Sequence, residues 1–218
     1  MTTPSNELRA NVYQKLGQIA QAMSSPARLK IIQILAQGPR TVEEISQSSG
    51  ESVANTSQHL QRLAREGLVA MTKRGLSRIY RVKNPKVIEI WERIQDLAHE
   101  IAPQLNEAED ELTESALRSP TPANEVVDSI RKRKAVLVDV REVHEAEATP
   151  VPGAKNIPLA RLKQELKTLE KDKTIYVFCR GKYCELASHA VRALRNAGFK
   201  AFRLRESSFR LNQMMETP

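Results

Sequence analysis

Two cysteines, Cys179 and Cys184, lie close together in the segment VFCRGKYCEL. An apolar run at residues 174–178 precedes the pair, and a helical pattern at residues 185–196 follows it. A cysteine between a strand and a helix lies among unpaired backbone N–H groups, at the positive end of the helix dipole. That setting favours the thiolate, which acts as a nucleophile and in redox reactions. The segment therefore predicts sulfur chemistry in preference to a buried structural cysteine.

The composition limits the class of protein. The chain has 218 residues, of which 40% are hydrophobic, so two domains of ordinary size can each bury a core. The net charge of +8 indicates a polyanionic partner such as nucleic acid. No apolar run reaches the roughly 18 residues of a membrane span, and the N-terminal residues do not resemble a signal peptide. We therefore expect a cytoplasmic protein, in which paired cysteines indicate catalysis or redox sensing more than a structural disulfide.

The N-terminal half shows helical periodicity and helix-capping signals. Apolar residues between positions 8 and 23 recur at helical spacing. Ser25 and Pro26 are typical of a second helix start, and the segment 41–44 fits a capping box that opens a third helix. Ser52 is the expected N-cap of a fourth helix, which ends near Gly67. The short third helix and the polar fourth helix predict a helix-turn-helix.

A basic hairpin follows that fourth helix. Residues 68–71 and 77–82 predict two strands, and the turn between them carries Lys73 and Arg74. Such a wing can contact phosphate, whereas amides and Arg on the helix can read base edges. The alternative for the helix is a solvated polar face. The residues expected to contact DNA are Ser52, Asn55, Thr56, Gln58, His59, Arg62, Lys73, Arg74 and Arg78.

These segments resemble a known family. SPARLKII at 25–32, SVANTSQHL at 52–60, GLV at 67–69 and YRV at 80–82 are similar to the ArsR-type winged-helix repressors, over about residues 7–100. The resemblance implies a homodimer, built by the first and last helices of the domain, that leaves a palindromic operator when a signal arrives. Trp91 on the last helix lies either at that interface or inside one protomer.

Many ArsR-type repressors bind a metal through cysteine or histidine. This chain has no cysteine before Cys179, so a thiolate metal site in the repressor domain is absent. Asp96 and His99, with Glu100 beside them, have ligand-compatible spacing, but such a pair is more often a solvated face. We therefore expect no metal and no other cofactor.

Residues 125–218 alternate strand and helix, which predicts an α/β unit with a parallel sheet. Ligands of such sheets bind at the carboxyl ends of strands, where Cys179 falls. LVDVRE at 137–142, VPGAKNIPL at 151–159 and the cysteine loop resemble the rhodanese family, which moves sulfane sulfur through a persulfide on the loop cysteine. The resemblance implies that the site includes Cys179, Arg180, Gly181, Lys182, Tyr183, Cys184, Asp139 and Arg141.

The loop differs from two related kinds of site. Phosphatases and arsenate reductases have an arginine where this chain has Glu185, a carboxylate that would repel an oxyanion. The six-residue loop has the sulfurtransferase length, but many active rhodaneses end it with a basic or hydroxyl residue instead of Cys184. Ser207 and Ser208 also replace an expected glycine-rich turn, so we expect no efficient turnover of thiosulfate. The loop resembles that of fused repressor–rhodanese proteins.

The expected fold class is multidomain: an α+β winged helix-turn-helix at residues 1–102, a linker at 103–124 and an α/β rhodanese-like parallel sheet at 125–218. We expect a transcriptional repressor that binds double-stranded operator DNA as a homodimer. Its rhodanese-like domain would sense a small sulfur-containing anion such as thiosulfate, persulfide or polysulfide through Cys179, with Cys184 as the resolving thiol. The alternatives are an active sulfurtransferase tethered to DNA without switching, and a rhodanese-like domain used only for interaction.

Overall fold

The computed structural model describes residues 4–216, which divide into two units at the Gln95–Asp96 boundary. The first unit contains a helical part and a small antiparallel sheet. Its elements are α1 (Pro4–Met23), α2 (Pro26–Leu35), β1 (Arg40–Thr41), α3 (Val42–Ser49), α4 (Val53–Arg65), β2 (Val69–Arg74), β3 (Ser77–Val82) and α5 (Pro85–Ile101), and α5 continues into the second unit.

Two of the helix caps that the sequence predicts form in the first unit, whereas Ser25 precedes α2 without a side-chain capping hydrogen bond. Thr41 and Glu44 make the reciprocal bonds of a capping box at the start of α3. Ser52 caps α4 by accepting the backbone N–H of Asn55. Gly50, with a φ of 75°, ends α3 in the left-handed conformation that glycine tolerates best. The turn between α3 and α4 is therefore set locally, as a helix-turn-helix requires.

Helices α2, α3 and α4 supply the core of the first unit, and the winged hairpin completes it. Strand order is β1-β3-β2, with antiparallel pairing throughout the sheet. Five core side chains are fully buried: Ile31, Ile32, Ile45, Leu60 and Leu63. On α4, Leu60 and Leu63 thus face the core, whereas Val53 at the start of the helix is half exposed.

The second unit is an α/β layer structure. Its elements are α6 (Gln104–Thr113), α7 (Ala123–Arg131), β4 (Ala135–Asp139), α8 (Val143–Ala148), β5 (Ala154–Asn156), α9 (Leu162–Glu165), β6 (Thr174–Phe178), α10 (Leu186–Asn196), β7 (Ala201–Arg203) and α11 (Ser208–Glu216), with short 3-10 turns at Ser115–Leu117, Leu159–Arg161 and Leu166–Thr168. Within the described residues, the strands form a parallel sheet in the order β5-β4-β6-β7.

Apolar clusters cover both faces of this sheet. Val177 and Cys179 belong to the cluster that includes residues of α10, and Phe178 belongs to the cluster that includes residues of α7. The alternation follows from the two-residue period of a strand. Cys179 directly follows β6, so the predicted position at the carboxyl end of a strand is confirmed, and β6 lies between β4 and β7 in the sheet.

Residues 103–124, predicted to be a helix extension followed by a linker, contribute buried side chains to the second unit. They include α6 and a 3-10 turn, and Glu109 and Thr113 are fully buried. The carbonyl of Thr113 accepts a hydrogen bond from the hydroxyl of Ser188 on α10. The acidic composition of α6 does not indicate burial. The carboxylate of Glu109 nevertheless faces inward, where it contacts arginines.

None of the helices within residues 4–216 is both long enough and apolar enough to span a membrane.

Candidate functional site

The cysteine loop joins β6 to α10. Inside it, the backbone N–H of Cys184 donates to the carbonyl of Gly181 at 3.2 Å, which folds the chain back toward Cys179. Gly181 has a φ of 117°, a conformation that strains any side chain larger than hydrogen. The strand end, the turn and the helix start therefore bring the two cysteines together.

The two thiols differ in exposure and acidity. Cys179 is 1% exposed, and its Sγ donates to the backbone carbonyl of Cys184 at 3.4 Å. Burial raises the pKa of Cys179, and the hydrogen bond with the Cys184 side chain raises it further. That same bond, with the backbone N–H groups of Arg180 and Leu186, lowers the pKa of Cys184 to about 6. Because Cys179 is more deeply buried, the opposite pKa shifts favour the thiolate on Cys184 over a thiolate on Cys179.

The two cations of the loop are already paired. The guanidinium of Arg180 binds Glu145 through its Nε, at 2.9 Å from Oε1, and through its Nη2, at 2.8 Å from Oε2. The Nζ of Lys182 lies 2.7 Å from Oδ1 of Asp96. Both side chains are therefore held by carboxylates, and neither presents a free charge at the loop.

The end of α5 meets the loop at two side chains. Tyr183 Oη lies 3.0 Å from Nε2 of His99, and the two rings stack with centroids 5.8 Å apart. Asp96 lies one helical turn before His99 and binds Arg210 as well as Lys182. The Arg210 and Lys182 hydrogen bonds outweigh partial burial and lower the pKa of Asp96 to about 2.

The residues that resembled metal ligands in the sequence are thus engaged elsewhere. His99 Nδ1 lies 2.8 Å from Oδ1 of Asn106, so both of its ring nitrogens have partners. Glu100 is exposed. Across the described part of the chain, no cluster of three or more His, Cys, Asp or Glu side chains has the arrangement of a metal site.

Asp139 and Arg141 form a buried ion pair beside the sheet. Their side chains meet at 2.6 Å between Oδ2 and Nη2, and Arg141 also donates to the hydroxyls of Thr149 and Ser208. The guanidinium carbon of Arg141 lies 5.6 Å from the ring centroid of Phe178. These contacts make the pair a brace for the ends of β4 and β6.

Two charged side chains beneath the loop were missed by sequence reasoning. Arg203, the last residue of β7, is fully buried and donates through Nη2 to the carbonyls of Gly181 and Lys182. Glu109 of α6 is also fully buried and lies 3.6 Å from Nη1 of Arg203. The available signal was an arginine inside an otherwise apolar strand, which indicates a buried charge with a partner.

The expected DNA-contacting side chains of α4 lie mostly at the surface. Ser52, Asn55, Gln58 and Arg62 are exposed, and His59 is half buried. The prediction for Thr56 is wrong, because its side chain is fully buried and its hydroxyl has no hydrogen-bond partner within the described residues. Its spacing to Leu60 and Leu63 puts it on the inward face of the helix.

The predicted wing is an exposed hairpin. Lys73 pairs with Arg78 across β2 and β3, and the turn between the strands uses Gly75 at a φ of 61°. Lys73, Arg74 and Arg78 are all exposed. The hairpin therefore presents three cations from adjacent positions.

Fold and site together define a winged helix-turn-helix transcriptional regulator with a rhodanese-like domain. The family model described as bacterial regulatory protein, arsR family, matches residues 25–70, and the rhodanese-like domain model matches residues 122–210. The chain is 34% identical over 202 residues to the HTH-type transcriptional regulator Rv0324 of Mycobacterium tuberculosis (strain ATCC 25618 / H37Rv), covering 91% of this chain and 88% of that protein. The chain thus belongs to the arsR family, in a form that carries a rhodanese-like domain.

Two further matches cover only part of this chain. The uncharacterized protein YqhL of Bacillus subtilis (strain 168) is 41% identical over 66 residues, covering 30% of this chain and 51% of YqhL. Among solved structures, the homodimeric winged helix-turn-helix DNA-binding domain (fragment 1–100) of Mb0332 from Mycobacterium bovis matches at 29% identity and a TM-score of 0.43, covering 47% of this chain and 94% of the fragment.

Proposed function

We propose that this regulator is a cytoplasmic, homodimeric repressor whose affinity for operator DNA changes when sulfane sulfur reacts at Cys179 and Cys184. Three features support this function: exposed polar and basic side chains on α4 and the wing, two neighbouring cysteines with oppositely shifted pKa values, and a helix that contacts the cysteine loop. Neither α4 nor the loop contains a switch by itself, so switching requires that a change in the loop be transmitted to α4.

The observation that carries the proposal is the contact of the cysteine loop with α5. Lys182 and Tyr183 bind Asp96 and His99 near the end of that helix. Earlier on the same helix, Val87 is buried in the core that also holds the inward residues of α4. A continuous helix engaged in this way can transmit a small movement from the loop to the DNA-binding core.

Sulfur uptake follows from the chemistry of the pair. As the Cys179 sulfur attacks the sulfane sulfur of thiosulfate, its proton passes to the Cys184 thiolate. The S–S bond of thiosulfate breaks, sulfite leaves with the electron pair, and Cys179 carries a persulfide anion. Cys184, again deprotonated, then attacks the Cys179 sulfur; the outer sulfur takes up a proton and leaves as hydrosulfide, and a disulfide forms. Either product changes the charge and shape of the loop that contacts α5.

DNA binding is supported by the exposed polar side chains of α4 and the cations of the wing. Asn and Gln can bind adenine, Arg can bind guanine, and wing cations add salt-dependent affinity to phosphate. We expect Arg62→Ala to weaken binding and to change base preference, because Arg62 is exposed on α4. An unchanged preference in a selection from random duplexes would exclude Arg62 from base recognition.

A homodimer is supported by apolar side chains that the single chain leaves exposed on its first and fifth helices. They are Leu8, Val12, Tyr13 and Leu16 on α1 and Ile90, Ile94, Leu97 and Ile101 on α5. Trp91 is half buried instead, and its Nε1 donates to Gln33 at 2.7 Å. Light scattering on Leu97→Glu should show a monomer, whereas the control Leu112→Glu, on α6, should keep the wild-type mass.

The switching test compares DNA affinity before and after treatment with thiosulfate or polysulfide. The duplex is one that the wild-type protein selects from a random pool. Wild type should lose affinity by about 5- to 150-fold, the usual range of coupling between two sites. Cys179→Ser should show no response. A Tyr183→Phe variant, which loses the hydroxyl that meets His99, should still take up sulfur but respond less.

Two outcomes would reject switching. The first is equal DNA affinity of treated and untreated wild type when the loop peptide carries added sulfur, because the modified protein would then show no change in DNA binding. Rapid sulfur transfer to cyanide with unchanged DNA affinity would instead favour the alternative function, a sulfurtransferase tethered to DNA.

A further inference from the structure

Arg203 lies directly under the cysteine loop. It pairs in register with Val177 of β6, so both side chains are on the same face of the sheet as Cys179, two residues beyond Val177. The side chain of Arg203 is fully buried. Its Nη2 donates to the carbonyl oxygens of Gly181 and Lys182, in the middle of the loop. The guanidinium therefore lies on the inner side of the turn that carries both cysteines.

The hydrogen-bonding capacity of Arg203 is only partly used. Nε and Nη1 have no hydrogen-bond acceptor within residues 4–216. Nη1 lies 3.6 Å from Oε1 of Glu109, which is close enough for attraction between charges but too far for a hydrogen bond. A buried donor without an acceptor is unfavourable, and more so when it is charged. An additional anion beside Arg203 would relieve that cost.

The charge around Arg203 leaves a positive excess. The carboxylate of Glu109 is shared with Arg205, whose Nε lies 2.9 Å from Oε1, and with Arg118 at 3.3 Å. Asp110 also pairs with Arg118. Three guanidinium groups thus surround two carboxylates in this cluster, so Glu109 cannot neutralise Arg203 alone. The spare positive charge lies inside the loop and not on its rim, where Arg180 and Lys182 are paired.

Cys179 is the group that can bring a negative charge to this position. It is 1% exposed, and its electrostatic interaction with Arg203 lowers the pKa of Cys179 against the larger effect of burial. A free anion from solvent would have to open the loop to reach a fully buried guanidinium. A sulfur atom attached covalently to Cys179 needs no such opening.

We propose that Arg203 is the anion-binding residue of this site and that it binds the terminal sulfur of a persulfide on Cys179. This inference rests on the proposed function, since it requires sulfur uptake at Cys179. The persulfide anion accepts hydrogen bonds from the unused donors of Arg203, and Arg203 turns from Glu109 toward the sulfur. Glu109 then acts as a competitor for the same guanidinium.

Because Glu109 competes with the persulfide for Arg203, removing Glu109 and removing Arg203 should change the persulfide lifetime in opposite directions. Glu109→Gln removes the competing carboxylate, so the Cys179 persulfide should live longer than in wild type. In the double variant Arg203→Met with Glu109→Gln, both buried charges are absent, and the persulfide should decay about tenfold faster because a charge-assisted bond is lost. Arg203→Lys keeps the charge with fewer donors and should give an intermediate lifetime. Arg205→Met combined with Glu109→Gln removes a guanidinium that does not bind the loop, with no carboxylate at position 109 left to compete. It is the matched control for cluster damage and should keep the lifetime of Glu109→Gln alone.

The measurement uses the full-length protein. Each variant is treated with polysulfide, freed of donor, and trapped with an alkylating reagent at intervals, and the loop peptide is weighed. Equal persulfide lifetimes in wild type, Glu109→Gln and Arg203→Lys would overturn the role of Arg203, even if the double variant did not fold. Absence of persulfide on wild-type Cys179 with every donor would overturn both this inference and the proposed function. A persulfide that depends on Arg203 but leaves DNA affinity unchanged would support the inference and reject the switch alone.

Discussion

The acidity of Cys184 gives a quantitative prediction. Its pKa of about 6 makes it about 90% thiolate at pH 7, against about 3% for an ordinary cysteine with a pKa of about 8.5. Nucleophilicity falls with pKa at a Brønsted slope of about 0.45, so each Cys184 thiolate reacts about 13-fold more slowly than an ordinary thiolate. The two effects nearly cancel at neutral pH.

The rate advantage should therefore appear in acid. For equal access, Cys184 should be alkylated about twofold faster than an ordinary cysteine at pH 7 and about 20-fold faster at pH 5.5. The assay is iodoacetamide labelling from pH 5 to 10, followed by mass spectrometry that assigns the label to Cys179 or Cys184. The midpoint of the pH profile gives the pKa of Cys184 independently of access, because partial burial slows the reaction equally at every pH.

Variants separate the causes of the low pKa. Cys179→Ala removes the hydrogen bond that contributes most, so the Cys184 midpoint should move upward. Cys184→Ser leaves Cys179 as the sole thiol, and it should be labelled slowly with a midpoint above the ordinary range because it is buried. A wild-type Cys184 midpoint near 8.5, or faster labelling of Cys179 in acid, would refute the assignment of the thiolate to Cys184.

Three further predictions test the supporting structure and the DNA surface. Asp139→Ala should lower the free energy of unfolding by about 3–5 kcal/mol in urea, because it leaves buried Arg141 unpaired, whereas the exposed control Asp128→Ala should change it by less than about 0.5 kcal/mol. A similar decrease in the free energy of unfolding in both variants would refute the stabilising role of the Asp139–Arg141 pair. Thr56→Val should raise the free energy of unfolding by up to about 1 kcal/mol and leave DNA affinity unchanged, because the buried hydroxyl has no partner. Weaker DNA binding by this variant would show that Thr56 contacts DNA after all. Arg74→Ala should reduce the slope of log affinity against log salt concentration by about one, and an equal slope would remove that side chain from phosphate contact.

Local signals predicted much of the first unit and the framework of the second. The capping box at Thr41, the cap at Ser52 and the alternating hairpin depend on interactions within a few residues, so they are readable from the chain. Thr56 was misassigned because a small polar side chain is compatible with either face of a helix. Its neighbours Leu60 and Leu63 decide the face only once the core is assembled.

The partners of the loop could not be predicted in the same way. Arg180 and Lys182 were expected in the site of the loop, but only the structure shows that the carboxylates of Glu145 and Asp96 bind them. These carboxylates lie 35 and 86 residues away in the chain. Pairing over such separations depends on which surfaces meet, and no local pattern specifies it.

The sequence by itself determined that a cysteine follows a parallel strand and that a helix follows the cysteine, because strand and helix periods and the turn residues are local properties. It also determined a winged helix-turn-helix ahead of that unit. Only the tertiary structure decided which cysteine carries the thiolate, since burial of Cys179 and the N–H groups around Cys184 arise from packing. It likewise decided that the unsatisfied positive charge lies on Arg203, because a buried guanidinium takes its partners from whichever segments fold around it.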